Sequence, residues 1–202
     1  MENVKPPLTH RQRQALATQK LIVAAAHDLF LEQGYGVTTI EAISARAGVA
    51  VSTVYAIFRN KRGILKAIRE EWHLESGQRD INRQASQESD PRRRLEMMAH
   101  ATRRQWETGA AMMAIYNSAA AIDPEAAAEL QEALHGRRTH LRSYLDEMAA
   151  MLRPDLTSDR AAAIYLSLTR PEVYQELVDV FGWSPDEYEA WLAEVLKQQL
   201  LP

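Results

Sequence analysis

The chain contains no cysteine. That excludes disulfide bridges and thiolate metal sites and suits a reducing compartment, so a cytoplasmic location is the expectation. Its polar start, MENVKPPLTHRQRQ, has no apolar stretch that would serve as a signal sequence, and no run approaches a membrane span. Strand-type alternation, internal repeats and low-complexity tracts are also missing. The six histidines (10, 27, 73, 100, 135, 140) show no H-x-x-x-H pair and no HExxH. G-x-S-x-G, P-loop and GxGxxG patterns are absent as well. No catalytic residue, metal or cofactor is implied, and the chain is not expected to be an enzyme.

What remains is helical periodicity, and charge that is unevenly placed. The formal net charge of the 202 residues is −3. Residues 1–66 carry nine Lys/Arg against four Asp/Glu, a net +5, and residues 67–202 carry 15 against 23, a net −8. A basic front on an acidic rear is the pattern of a chain that meets phosphate at one end.

The front is organised around residues 37–65. Ile40, Ile43 and Ala47 fall on one helical face, Val54 and Phe58 on another, and Gly48 lies in the turn between them. Thr38 and Thr39 stand where an N-cap belongs, and Thr38-x-x-Glu41 reads as a capping box. Two short helices about a glycine turn describe a helix-turn-helix whose second helix enters a major groove. An αα-corner that only packs is the alternative. The second helix argues against it, because its outer face carries Val51, Ser52, Thr53, Tyr55 and Ala56 rather than charge. Small and hydroxyl-bearing side chains allow close approach to base edges and phosphates. Arg59, Lys61 and Arg62 follow at once, at the start of the next helix.

GVAVSTVYAIFRNKRGIL resembles the recognition segment of the tetracycline-repressor (TetR) family of bacterial transcription regulators. The resemblance rests on Thr39, Ile43, Ala47, Gly48, Val49, Thr53-Val54-Tyr55, Phe58, Asn60-Lys61 and Leu65, and covers about residues 18–70. It implies a three-helix DNA-binding head, a helical ligand-binding body and a homodimer. The chain departs from the family pattern at Ala50, where members often cap the recognition helix with Ser, and at Glu41, where they often carry a basic residue.

The expected order is then all-α, with about nine to ten helices. A disordered arm (1–10) precedes the DNA-binding domain (11–66, helix-turn-helix 39–58) and a ligand-binding and dimerisation domain (67–202). His10, Arg11 and Arg13, at the arm's junction, are either a solvated tail or a basic arm that reaches DNA. A first helix (11–33) buries Ile22, Ala26, Leu29 and Phe30, and a fourth begins at the Asn60 cap and links head to body. Residues 85–90 read as a loop. The body continues as helices at 92–108 and 110–121 broken by Gly109, a long helix from Asp123-Pro124 to Leu152, one after Ser158, a short one from Pro171, and a last one capped by Ser184-Pro185.

Within the head, Thr38, Thr39, Tyr55 and Lys61 are expected at phosphates, beside Arg59 and the Ala50 cap, with Val51, Ser52 and Thr53 nearest the bases. In the body, Trp72, Met98, Trp106, Met112, Met113, Tyr116, Tyr144, Met148 and Tyr165 concentrate soft and aromatic surface, which is either plain core or a pocket for an apolar effector. The resemblance favours the pocket, with Asn117, Arg103 or Arg104 as polar anchors. The stripes Ala161, Ile164, Tyr165, Leu168 and Tyr188, Trp191, Leu192, Val195 are either monomer core or a four-helix dimer seam. The functional expectation is a ligand-responsive regulator, above all a repressor on a palindromic operator released by a small apolar or aromatic effector. The alternatives are an all-α small-molecule-binding or enzymatic protein with a purely structural head, and a TetR-like activator.

Overall fold

The computed structural model describes residues 9–202, which form ten α-helices and no strand. Residues 1–8 of the expected arm lie outside the described residues. Its last two do not behave as an arm: Thr9 caps α1 (His10–Gln33) in a capping box with Gln12.

The chain divides into two compact units, Met1–Glu70 with Ala114–Ala126, and Glu71–Met113 with Ala127–Pro202. The first unit contains α1, α2 (Ile40–Ala47), α3 (Val51–Phe58) and most of α4 (Lys61–Ser76). Ile22, Ala26, Phe30, Ile43, Val54, Ile64 and Leu65 pack as its core. Two segments far away in sequence join this unit, the end of α6 (Pro91–Ala120) and the first residues of α7 (Pro124–Glu147). The boundary drawn at residue 66 had left them in the body. Tyr116 is buried and its hydroxyl donates to the Leu65 carbonyl at 3.3 Å. Asp123 accepts the N–H groups of Glu125 and Ala126, the Tyr35 hydroxyl at 3.3 Å, and faces Arg62 at 3.6 Å. Burial opposes its ionisation, but those N–H groups, the guanidinium and the phenol together hold the carboxyl below its ordinary range.

The second unit is built from α5 (Gln78–Gln87), the body portions of α6 and α7, α8 (Ser158–Leu168), α9 (Pro171–Gln175) with a π-turn over Glu176–Val180, and α10 (Pro185–Leu200). Its core joins Leu95, Met98, Trp106, Leu145, Met148, Tyr165, Tyr188, Leu192 and Leu196. Helix α10 starts as expected, with Ser184 and Glu187 in a capping box.

Three local expectations are corrected. The cap of α2 is Thr39 alone, which accepts from the Ala42 N–H at 3.1 Å, with no capping box from Thr38 and Glu41. The first half of the expected loop at 85–90 belongs instead to α5, whose apolar stripe is only Ile81 and Ala85. That helix is held from outside: the buried Arg94 donates to the carbonyls of Ala85 and Ser86 in its last turn. And Gly109 breaks nothing, since α6 runs through it for 30 residues. A Cβ at Gly109 would lie 2.6 Å from the Trp72 indole nitrogen, so this glycine permits close packing rather than a turn.

Trp72 cannot swing away cheaply, because its indole N–H donates to the Gln105 carbonyl at 3.3 Å. Gly109→Val is therefore expected to lose about 1–3 kcal/mol by overpacking. Thermal denaturation of the full chain checks this, and an unchanged melting temperature would contradict the close packing.

Candidate nucleic-acid interface and body cluster

Helices α2 and α3 meet at a bend of 108°. Gly48 makes it, at φ +67° in the left-handed region, and the Val49 N–H returns to the Ser44 carbonyl at 3.0 Å. Val54 and Phe58 anchor α3 inward. Ser52, Tyr55, Ala56 and Ile57 are left exposed, with Val51 and Thr53 half-buried beside them. Tyr55 shows 48% of its surface. The Ala50 cap contributes no side-chain bond, so the N-terminal N–H groups of α3 are open to an outside acceptor.

The junction after α3 is a strained γ-turn. Asn60 N–H reaches back to the Phe58 carbonyl at 2.7 Å, and Arg59 between them takes φ +64°. It is the one non-glycine residue at positive φ among the described residues. Gly63 allows the turn, since a Cβ there would overlap the Phe58 carbonyl oxygen. Its N–H is capped by Asn60 at 2.9 Å. Arg59 is exposed and makes no ion pair among the described residues.

Two residues expected at phosphates are engaged inside the head instead. Thr38 is buried, its hydroxyl within reach of the Leu29 and Gly34 carbonyls at the end of α1. Lys61 donates to the carbonyls of Tyr35 (2.5 Å), Thr38 (3.0 Å) and Gly36 (3.4 Å), with its ammonium 4.2 Å from the centre of the Tyr35 ring. Burial lowers its pKa. The unpaired turn between α1 and α2 aims its carbonyls at one point, and a cation fills it. Thr39, Ser52, Tyr55 and Arg59 remain outward.

In the body, Met98, Trp106, Tyr144, Met148 and Tyr165 come together in one core, with Met113 packed against it. Trp72 and Met112 are buried in the same unit. Tyr116 is not there, since it packs in the first unit. Asn117 is exposed, which removes it as a pocket anchor. Arg103 is held by Glu107, Asp186 and Glu189, and Arg104 by Glu107. Of the expected dimer stripe, Ala161, Tyr165, Tyr188 and Leu192 are buried within the chain, leaving Ile164, Leu168, Trp191 and Val195 partly exposed.

The sequence reading missed Arg137. It stands on the α7 seam between Leu134 and Leu141, at spacings of three and four, and that position in a run of leucines is a signal visible in the sequence. Its guanidinium lies over the Trp106 ring at 5.5 Å, and Nη2 reaches the Thr169 hydroxyl at 3.3 Å. Desolvation by burial lowers its pKa. The hydroxyls of Tyr144 and Tyr188 are buried without hydrogen-bond partners among the described residues. Burial pushes the Tyr144 phenol up to about 12 and raises that of Tyr188.

The geometry defines a class: a helix-turn-helix head carried on an all-helical body. Residues 22–68 match the family described as "Bacterial regulatory proteins, tetR family". They include the turn, both helices about it and the start of α4, so the match to the TetR family lies in the head. Among curated relatives, the HTH-type transcriptional regulator YdeS of Bacillus subtilis is 40% identical over 48 residues. That match spans 24% of this chain and 24% of the relative, so the chain aligns with about a quarter of that protein's length. The body's likeness is one of fold. NalD, the secondary repressor of the MexAB-OprM multidrug efflux pump in Pseudomonas aeruginosa, superimposes with a TM-score of 0.71 at 24% identity, over 94% of this chain and 98% of its own. SmeT of Stenotrophomonas maltophilia, in its triclosan complex, gives 0.74 at 22% identity, over 92% of each chain. These similar proteins are regulators of transcription rather than enzymes.

Two substitutions separate the cations. Arg59→Gly relieves the strained turn and is expected to raise stability by about 1 kcal/mol. It should also lower the slope of log affinity against log salt on duplex DNA by about one unit. Lys61→Met strands buried carbonyls and is expected to cost about 1–3 kcal/mol of stability with the salt slope unchanged. Chemical denaturation and anisotropy titrations over a salt series read both.

Proposed function

We propose that the chain is a ligand-responsive DNA-binding transcriptional repressor that acts as a homodimer on a palindromic operator. The observation that carries this reading is the outer face of α3. Ser52, Tyr55, Ala56 and Ile57 are exposed beyond a helix whose inner face is fully engaged. A packing helix would be expected to carry charge on that face. Here small, hydroxyl-bearing and apolar groups suit groove contact, and Val51, Ser52 and Thr53 at the helix start are the base-reading candidates. Thr39, Tyr55, Arg59 and the open N–H groups behind Ala50 supply the phosphate contacts.

One head reads only a few base pairs, and two heads one DNA turn apart multiply specificity. Ile164, Leu168, Trp191 and Val195 are the residues of α8 and α10 left to form the seam. The effector is a small apolar or aromatic molecule held among Trp106, Tyr144, Met148 and Tyr165. Triclosan bound to SmeT is an aromatic ligand of this kind. Occupancy acts on the head through α4 and α6, each a continuous helix with residues in both units. Differential affinity of a few kcal/mol moves the operator from mostly bound to mostly free.

Anisotropy titration against the DNA flanking its own gene tests this. The expected result is tight binding of two protomers to one palindromic duplex and weak binding to random duplex at the same salt. Tyr55→Ala is expected to weaken binding to all sequences alike, by about 1 kcal/mol. Equal affinity for every duplex would refute the regulatory reading and leave the head a structural one.

A further inference from the structure

The body as a whole is acidic, yet one half-buried arginine on its α7 seam has no acid partner among the described residues. Arg137 is half-buried on the face toward Trp106 and Thr169, and desolvation there lowers its pKa. A buried charge without a partner is unfavourable and normally drives either pairing or replacement. The nearest relief inside the chain is weak. Nη2 meets the Thr169 hydroxyl at 3.3 Å and the Thr169 carbonyl at 3.5 Å, while that carbonyl already accepts the Trp106 indole N–H at 3.1 Å. Nε and Nη1 have no hydrogen-bond partner among the described residues. Glu129, the acid on the same helix with an unpartnered buried oxygen, lies eight residues earlier, about 12 Å along the axis.

The other core guanidinium is already engaged. Arg94 donates to the Ala85 and Ser86 carbonyls, with its charge 5.3 Å from the centre of the Tyr144 ring. Two phenols of the same core, Tyr144 and Tyr188, keep buried hydroxyls without partners, and Tyr188 feels the Arg137 charge. A third, Tyr165, is paired with the Thr102 hydroxyl at 2.9 Å. A guanidinium with two unbonded nitrogens, the idle Tyr188 hydroxyl and the Trp106 indole face therefore lie together in an apolar unit, while the idle Tyr144 hydroxyl stands beside Arg94.

We propose that the effector is an anion of one kind, a carboxylate on an apolar or aromatic frame, with Arg137 as its anchor and Tyr188 as a further donor. The inference rests on the ligand-responsive reading above and specifies its ligand. A guanidinium presents two parallel N–H groups to a carboxylate, and the surrounding core accepts a monoanion with an apolar tail. The Trp106 ring, already stacked under Arg137, would flank the tail.

Calorimetric titration of the full chain uses matched pairs: 4-tert-butylbenzoate with 4-tert-butylbenzamide, and decanoate with 1-decanol. The expected result is that the acid of at least one pair binds ten or more times tighter than its neutral partner. Arg137→Leu should bring that ratio to within twofold and leave the neutral ligand's affinity unchanged. Should that variant not fold, Arg137→Gln decides in its place. Failure of both acids to bind at millimolar concentration overturns the proposal, and so does a preference that survives loss of the charge. Operator binding is scored on the same preparation. A chain that binds its operator and is released only by the neutral ligands keeps the regulatory function and loses this inference. A chain with no operator loses the function itself.

Discussion

The Lys61 ammonium and the three carbonyls that surround it hold the head in register. The turn between α1 and α2 has no helical partner for its carbonyls of Tyr35, Gly36 and Thr38, and all three face the same ammonium. Left unpaired, the two part-buried acceptors, on Tyr35 and Thr38, would each cost on the order of 1–3 kcal/mol. One lysine at the first turn of α4 satisfies them together, with the Tyr35 ring beside its charge. The start of α4 is thereby tied to the end of α1, and α3 between them is set from its C-terminal side. Thr38 does the same service for the last carbonyls of α1. The head is thus closed by polar groups that look, from composition alone, like DNA contacts.

The strained turn at Arg59 has the opposite character. An arginine at positive φ is unfavourable where glycine would fit, and the surrounding structure must overcome that cost. Asn60 and Gly63 do so locally, by a cap and by close approach. The result is a cation directly after the recognition helix with no ion-pair partner among the described residues. Lys61 and Arg59 are two residues apart and nearly alike in sequence terms. One is an internal staple and the other an outward charge, and only backbone geometry tells them apart.

That contrast explains what the sequence revealed and what it hid. The helix-turn-helix was legible because Gly48, the apolar spacing of Ile43, Val54 and Phe58, and the Thr39 cap are local signals. Capping at Ser184 and Asn60 was legible for the same reason. Gly109 was misread because a glycine's local meaning, a break, gave way to a tertiary one, room for Trp72. Helix α5 was missed because its stripe is two residues wide and its end is capped by Arg94, an arginine from the next helix. A dimer seam and a ligand pocket call on the same stock of apolar residues, and periodicity cannot divide them. Burial assigns Tyr188 and Leu192 to the core, while Trp191 and Val195 keep part of their surface.

Charge is where the two levels join. The head's positive balance is visible by counting, but several of its cations are engaged: Lys61 by carbonyls, Arg46 by Glu32, Arg62 by Asp123 and Glu125. The outward field near α3 is correspondingly narrower than the count suggests, and Arg59 carries more of it. The body inverts this relation. Its acids outnumber its bases, yet the arginine on the α7 seam, over the Trp106 ring, has no acid partner among the described residues. A chain selected only for stability would place a leucine there, since an apolar residue of similar volume is usually neutral or better at a buried charged site. An arginine kept at that position makes physical sense if something outside the chain completes it, and the idle Tyr188 phenol, which feels its charge, would be completed by the same guest.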